Sequence, residues 1–319
     1  MKRLAVALML GAVCIQPVAA HAADWPTRPI RIIAPSTPGG AADMFARLLC
    51  EQFSETLHER CFVENRAGAG GLIGTAATAQ AAPDGYTLTT SSTAYHVIAP
   101  VVNPNPGFDP LKDFTHIAYV GGPPNVFVVN PALGVRSLAD LVALGRRGQA
   151  IDYVSPGSGT LGQLLAESFA QKAGIKLQPI MTKGASQGMM DLVSGNVNLG
   201  TMTWTSALGQ IRSGKVVPIV VSSRARLAEF PDLPAAAETI PDFRSAGWMV
   251  MVAPAGTPEN IVRKVSDDLN VILNNPEVRS KLAAVGSYAR PMSPQDTTTF
   301  IQTEQRTWGP LLDELSRGQ

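Results

Sequence analysis

The chain has 319 residues, 45% of them hydrophobic and 16% charged, with 29 Gly and 25 Pro, a globular composition that is neither disordered nor collagen-like. Lys and Arg number 26 against 25 Asp and Glu, a formal charge of +1, so there is no basic excess to neutralise a phosphate backbone and no nucleic acid partner is expected. At roughly 100 to 200 residues per domain, the length accommodates two domains.

Met1-Lys2-Arg3, the uncharged run from Leu4 to Ile15 and the small-residue end Ala20-His21-Ala22 read as a secretory signal peptide over residues 1–22, with an A-x-A cleavage site. The apolar run falls short of the roughly 20 residues a membrane span takes. Val13 precedes Cys14 where lipid attachment wants a small residue. The expectation is an exported, periplasmic protein whose charge is balanced once Lys2 and Arg3 are gone.

Short β-branched runs then alternate with segments of helical period, the pattern of βαβ units and largely parallel sheets, so the fold class is α/β. Strand Ile30 to Ala34 leads through Ser36-Thr37-Pro38-Gly39-Gly40 into a helix with Met44, Phe45, Leu48, Leu49 and Phe53 on one face. Strand Phe62 to Glu64, the turn Ala67 to Gly71, an Ala-rich helix and Pro83-Asp84-Gly85 follow, and strand Tyr86 to Thr90 runs into Ser91-Ser92-Thr93.

Further strands fall at Val126 to Asn130, Ile151 to Ser155, Leu177 to Met181, Leu199 to Thr203 and Val216 to Ser222, with helices between them, one of them short from Ser206 to Arg212. After a Pro-rich connection comes strand Trp248 to Ala253, then Thr257 as helix cap and Pro258 at the first helical position. Crossings between two lobes are placed near Gly121 to Pro124 and Ala246 to Met249. Lobe 1 is then 23–122 plus 249–319, and lobe 2 is 123–248.

The recurring chemical feature is a loop of Gly, Ser, Thr and Pro between a strand's end and a helix's start. Such loops present free N–H groups and hydroxyls to an anion, with the helix dipole behind them, and in open α/β sheets ligands sit there. Gly and Ser also serve plain turns and caps, so the weight rests on the repetition of the loop.

Gly157-Ser158-Gly159-Thr160-Leu161-Gly162 spells G-x-G-x-x-G after a strand, but the next strand ends Met181-Thr182-Lys183 without the acid that holds a ribose, so no dinucleotide is expected. G-x-x-x-x-G-K-[ST], H-E-x-x-H and C-x-x-C are absent. His58, His96 and His116 lie in separate segments without metal-ligand spacing and read as surface or packing residues, so no metal and no cofactor is expected. Asp43, in the first turn of its helix, reads as a dipole partner rather than a catalytic acid. Trp204 and Trp248 each lie beside a strand end, where an aromatic face suits a cleft as well as a core. Cys50 and Cys61 can pair in an oxidising compartment, or stay apart as a small buried hydrophobe and a strand residue.

Trp25-Pro26 with Pro29-Ile30-Arg31, Pro38-Gly39-Gly40 with Asp43, Val63 to Gly71, Ala82 to Leu88, Phe108 to Phe114, Val129-Asn130-Pro131, Lys183-Gly184 and Ala253 to Pro258 together resemble the periplasmic solute-binding proteins of tripartite tricarboxylate transporters, the Bug family. The resemblance implies a two-lobed, type II-like periplasmic binding protein with a ligand cleft between the lobes. Such a protein captures a small carboxylate by hinge closure and hands it to integral membrane permease subunits. It implies a monomer and no enzyme activity.

The resemblance puts the carboxylate on Ser36 to Gly40, Ser155 to Thr160 and Lys183 to Ala185; together with the residues at strand ends, the ligand-binding set expected is Ser36, Thr37, Gly39, Gly40, Ser91, Ser92, Thr93, Ser155, Gly159, Thr160, Lys183, Gly184, Ala185, Trp204, Thr205 and Trp248. Relatives differ in the acid they take, from aliphatic di- and tricarboxylates to terephthalate. Trp204, Trp248, Tyr95 and the near absence of cleft Arg favour an aromatic dicarboxylate. Ser36-Thr37 and Ala41-Ala42 depart from the family's usual residues and bring added hydroxyls. The competing readings are a sensor that presents the same acid to a signalling receptor, and an exported hydrolase, which lacks a base beside any serine.

Overall fold

The computed structural model describes residues 25–103, 105–148, 150–155, 160–223, 225–227, 229–239 and 247–317. The expected signal peptide and Gly159 lie outside the described residues. Among the described residues no helix is long and apolar enough to cross a membrane.

In chain order the first lobe contains β1 (Ile30–Ala34), α1 (Ala41–Thr56), β2 (Cys61–Asn65), α2 (Leu72–Ala79) and β3 (Thr87–Ser92). A π-helical turn at Ala94–Ile98 then leads into α3 (Ala99–Val102) and β4 (Phe114–Gly121). The second contains β5 (Asn125–Val129), α4 (Leu138–Gly145), β6 (Ile151–Ser155), α5 (Leu161–Ala173), β7 (Leu177–Met181), α6 (Ala185–Ser194), β8 (Leu199–Thr203), α7 (Trp204–Arg212), β9 (Val217–Val221) and α8 (Ala236–Thr239). The chain returns to the first sheet with β10 (Met249–Pro254), followed by α9 (Glu259–Asn274), α10 (Pro276–Ala283) and α11 (Pro294–Arg317).

The two five-stranded sheets run β2-β1-β3-β10-β4 and β7-β6-β8-β5-β9. Each is parallel except for one strand: β10 is antiparallel to β3 and β4, and β5 is antiparallel to β8 and β9. Both exceptions are the first strand after a crossing. A chain arriving from the other lobe enters its sheet from the cleft and must run away from it, whereas the parallel strands end there.

Both faces of each sheet are covered, which the two-residue period of a strand permits. In β10, Met249 and Met251 join Phe45, Leu49 and Phe53 of α1 and Val265 and Leu269 of α9, while Val250 and Val252 join Ile301, Trp308 and Leu312 of α11. In β5, Phe127 and Val129 face Leu141 and Phe169, while Val126 and Val128 face Leu192 and Trp204. Each such side chain contributes about 1.5 to 3 kcal/mol by leaving water.

Helix α9 starts one residue later than the sequence signal implies. Thr257 donates its hydroxyl back to Pro254 O at 2.8 Å and closes a turn, and Pro258 takes the cap position without a side-chain bond. Cys50 near the end of α1 and Cys61 at the start of β2 are joined by a disulfide, with their Cα atoms 5.2 Å apart.

The two crossings lie side by side. A Cβ on Gly247 would come within 2.6 Å of Pro123 O, and one on Gly122 would strike Gly247 O and Trp248 Cα. Only glycine lets the two backbones approach this closely.

Candidate functional site

A cavity of about 160 Å³ lies between the lobes. Five helices begin on it: α1 at Ala41, α2 at Leu72, α5 at Leu161, α6 at Ala185 and α7 at Trp204. Each N-terminus carries about half a positive charge from its aligned peptide dipoles. Gly40, Gly71 and Gly184 cap three of these helices and bring no side-chain oxygen of their own, although Ser36 Oγ accepts from Asp43 N in the first turn of α1 at 3.3 Å, and Thr203 caps α7 with its hydroxyl turned to Ser206 Oγ at 2.7 Å. Only Thr160 accepts from its own helix, from Gln163 N.

Among the described lining residues Lys183 carries the one formal charge, and no carboxylate faces the cavity. The field inside therefore favours an anion.

The first lobe supplies Ser36, Thr37 and Gly40 from the loop after β1, the glycine turn Gly68 to Gly71, and Ser92, Thr93 and Tyr95 after β3. Asp43 shapes the first loop from behind: Oδ2 accepts from Gly39 N at 2.9 Å and Arg47 Nε at 3.1 Å, and Oδ1 from Asn65 Nδ2 at 2.8 Å. Burial alone would raise its pKa, but the bonds from Arg47, Gly39 and Asn65 outweigh this and hold the carboxyl below its ordinary value. Burial pushes the Tyr95 phenol up to about 12 against a smaller opposing bond with Ser92, so it remains a neutral donor, here to Pro35 O at 3.1 Å.

The second lobe supplies Thr160, Lys183, Gly184 and Ala185, all expected, and Asn125, Thr201, Thr203 and Ser206, which were not. Asn125 is 2% and Thr201 0% exposed, yet Asn125 Nδ2 and Thr201 Oγ1 have no hydrogen-bond partner. Buried donors are almost always satisfied, so two that face one cavity are donors that a solute's oxygen can satisfy. Thr37 Oγ1 on the first lobe is likewise unpartnered.

Several expected residues lie elsewhere. Trp204 is 1% exposed and packs in the second lobe's core, 4.9 Å from Phe230, because the first turn of α7 rotates it under the helix. Ser91 points away from the cleft and pairs with His96 Nδ1 at 2.8 Å. Ser155 is fully buried at the end of β6, where its carbonyl accepts from Thr182. Thr205 is not among the lining residues and donates to Thr203 Oγ1 at 3.3 Å. Gly39 is exposed and not among the lining residues, with its N–H committed to Asp43. Trp248 is among the lining residues, but it is 3% exposed, its ring packs on His96 and Phe300, and Nε1 donates to Glu304 Oε2 at 3.0 Å.

The lobes touch across the cleft. Ser186 Oγ donates to Pro38 O at 2.9 Å, and Gly184 lies so close to Thr37 that a Cβ would meet its side chain at 2.8 Å. Gly184-Ala185-Ser186-Gln187-Gly188 also spells G-x-S-x-G, a nucleophile motif in a strand-turn-helix setting. Here the hydroxyl is committed to the opposite lobe, and His58, His96 and His116 all lie on the first lobe's segments. Among the described residues no histidine hydrogen-bonds to it.

Residues 45–317 match the model of the tripartite tricarboxylate transporter family receptor. The protein BugT of Bordetella pertussis is 34% identical over 301 residues, covering 93% of this chain and 92% of BugT. Among solved structures, R. palustris Rpa4515 with adipate is 29% identical at a TM-score of 0.88, covering 92% of this chain and 98% of that one. MatC from Rhodopseudomonas palustris with bound malate is 26% identical at a TM-score of 0.84, covering 92% of this chain and all of that one.

Proposed function

The chain belongs to the tripartite tricarboxylate transporter receptor family, and from that premise we propose that its cleft captures a small carboxylate in the periplasm for delivery to the permease subunits of such a transporter. The family and its structural neighbours are solute-binding proteins, not enzymes. The observation that carries the reading is the convergence of five helix N-termini and Lys183 on a cavity whose described lining holds no carboxylate. Adipate in Rpa4515 and malate in MatC are small aliphatic dicarboxylates held by neighbours of the same fold.

In this reading one carboxyl group docks on the α1 and α2 N-termini, with Ser36, Thr37 and Ser92 beside it. Closure brings the second lobe's donors, Asn125, Thr201 and Thr160, onto the rest of the solute. Only contacts that differ between open and closed forms shift the balance between them, so selectivity belongs to the second-lobe set. An aromatic dicarboxylate such as terephthalate draws its support from Tyr95 on the lining, without Trp204.

Calorimetry of Asn125→Ala, Thr201→Val and Thr160→Ala against the acid that binds wild type tests the site. A loss of about fivefold to a hundredfold in affinity is expected for the first two, from a hydrogen bond of about 1 to 3 kcal/mol to a charged group. Unchanged affinity in all three contradicts the assignment.

A further inference from the structure

Asn125, Thr201 and Thr203 lie together on one face of the second sheet. Asn125 opens β5 directly opposite Thr203 at the end of β8, and Thr201 stands two residues back along the same face. Among the described residues Asn125 makes its hydrogen bonds through its backbone, from N to Ser222 Oγ at 2.8 Å and from Ser222 N to its carbonyl at 2.7 Å. Its Nδ2 is left over on the cavity wall, and so is Thr201 Oγ1, which lies under the first turn of α5 where a Cβ on Gly162 would come within 3.1 Å of it.

These groups stand at the crossing end of the cleft. Asn125 is two residues from Pro123, whose carbonyl lies against Gly247, and β10 begins just beyond at Met249. In the first sheet β10 is two strands, about 10 Å, from β1, whose following loop starts α1. In the second sheet Lys183 follows β7, which is three strands, about 14 Å, from β5, and its neighbour Gly184 sits against Thr37 of that same first-lobe loop. The two sheets agree on one axis. The cleft has a cationic end at Thr37 and Lys183 and, among the described residues, an uncharged end at Asn125.

Resting on the carboxylate-capture reading above, we propose that the cleft selects an acid whose far end is a primary amide, and that Asn125 and Thr201 read that amide. A carboxamide side chain offers an acceptor and two donors, and a threonine hydroxyl both donates and accepts. A solute amide can therefore pair with Asn125 through two bonds at once, giving N–H to Oδ1 and taking Nδ2–H on its oxygen. A second carboxylate only accepts, so it can use Nδ2 but not Oδ1, and its charge would be buried three strands away from Lys183. A methyl end leaves both buried donors unpaired.

The test is calorimetry at neutral pH of wild type, Asn125→Leu and Thr201→Val against glutarate, glutaramate, pentanoate and glutaramide, and against the same four end-group patterns on chains one carbon shorter and one longer. At the best chain length wild type is expected to bind the monoamide at least about fivefold more tightly than the diacid and the unsubstituted acid, and not to bind the diamide. Asn125→Leu and Thr201→Val each narrow that preference several-fold, and Asn125→Leu keeps its affinity for the unsubstituted acid. A monoamide bound no more tightly than its diacid, or than the unsubstituted acid, overturns the proposal while leaving carboxylate capture standing. So does a preference that neither variant narrows, with Thr201→Val deciding where Asn125→Leu impairs folding. A wild type that binds none of the acids, or binds the diamide as well as the monoamide, overturns the capture reading and the amide reading with it.

Discussion

Thr201 and Asn125 make the sharpest case at the scale of single residues. Both are buried polar groups whose donors find no protein partner, and such groups cost stability in the absence of a ligand. Thr201→Val keeps the shape and removes the unpaired hydroxyl, so the variant is expected to melt at or above the wild-type temperature while binding solute several-fold more weakly. Scanning calorimetry alongside titration checks this, and a variant that loses stability and keeps its affinity contradicts it. Asp43 gives a pH signature. Its carboxyl lies below the ordinary 3.8 in the folded state, so its contribution is present above that value and is lost as pH falls through the lowered folded value. Asp43→Asn is expected to lose about 1 to 3 kcal/mol at neutral pH and to show a shallower acid unfolding curve. The sequence points to Thr160, Lys183 and Gly184 because they stand where a strand ends and a helix begins. It does not point to Asn125, which opens a strand, because which strands enter from the cleft depends on sheet order and not on any local pattern. Trp204 shows the converse: a residue beside a strand end whose side chain the first helical turn carries into the core.

Among the elements, the alternation of β-branched runs and helical stripes is legible along most of the chain, and β1, β6, β7 and β8 match it to the residue. The π-helical turn at Ala94–Ile98 and strand β4 leave no comparable periodic mark, since the turn departs from 3.6-residue spacing and β4 mixes Thr115, His116 and Tyr119 into its apolar residues. The Cys50–Cys61 bridge spans 11 positions, and a loop of that size is worth about 3 kcal/mol on the chain-entropy account. Cys50→Ser/Cys61→Ser is expected to lower stability by roughly that amount and to leave solute affinity alone, because the bond sits at the end of α1 away from the cleft. Denaturant titration with matched calorimetry checks both halves, and a large affinity loss contradicts the separation. Gly247→Ala acts on the crossings. Its Cβ would meet Pro123 backbone, where neither chain can yield cheaply, so a stability loss of about 1 to 3 kcal/mol and weakened binding are expected.

For the whole molecule, the cross-lobe contacts Ser186 to Pro38 and Thr37 against Gly184 bring the two lobes together across the cleft, with polar groups of both facing one space. The central claim is that closure answers to a carboxylate, and the most direct measurement is thermal unfolding of the purified protein against aliphatic and aromatic mono-, di- and tricarboxylates, adipate, malate and terephthalate included, each paired with its amide. A ligand at 100 times its dissociation constant adds about 2.7 kcal/mol, which for a protein of this size raises the midpoint by about 4 °C. A rise of that order for at least one acid and none for its amide is the expected result. A flat response to every acid, or an equal rise for an acid and its amide, would contradict carboxylate capture.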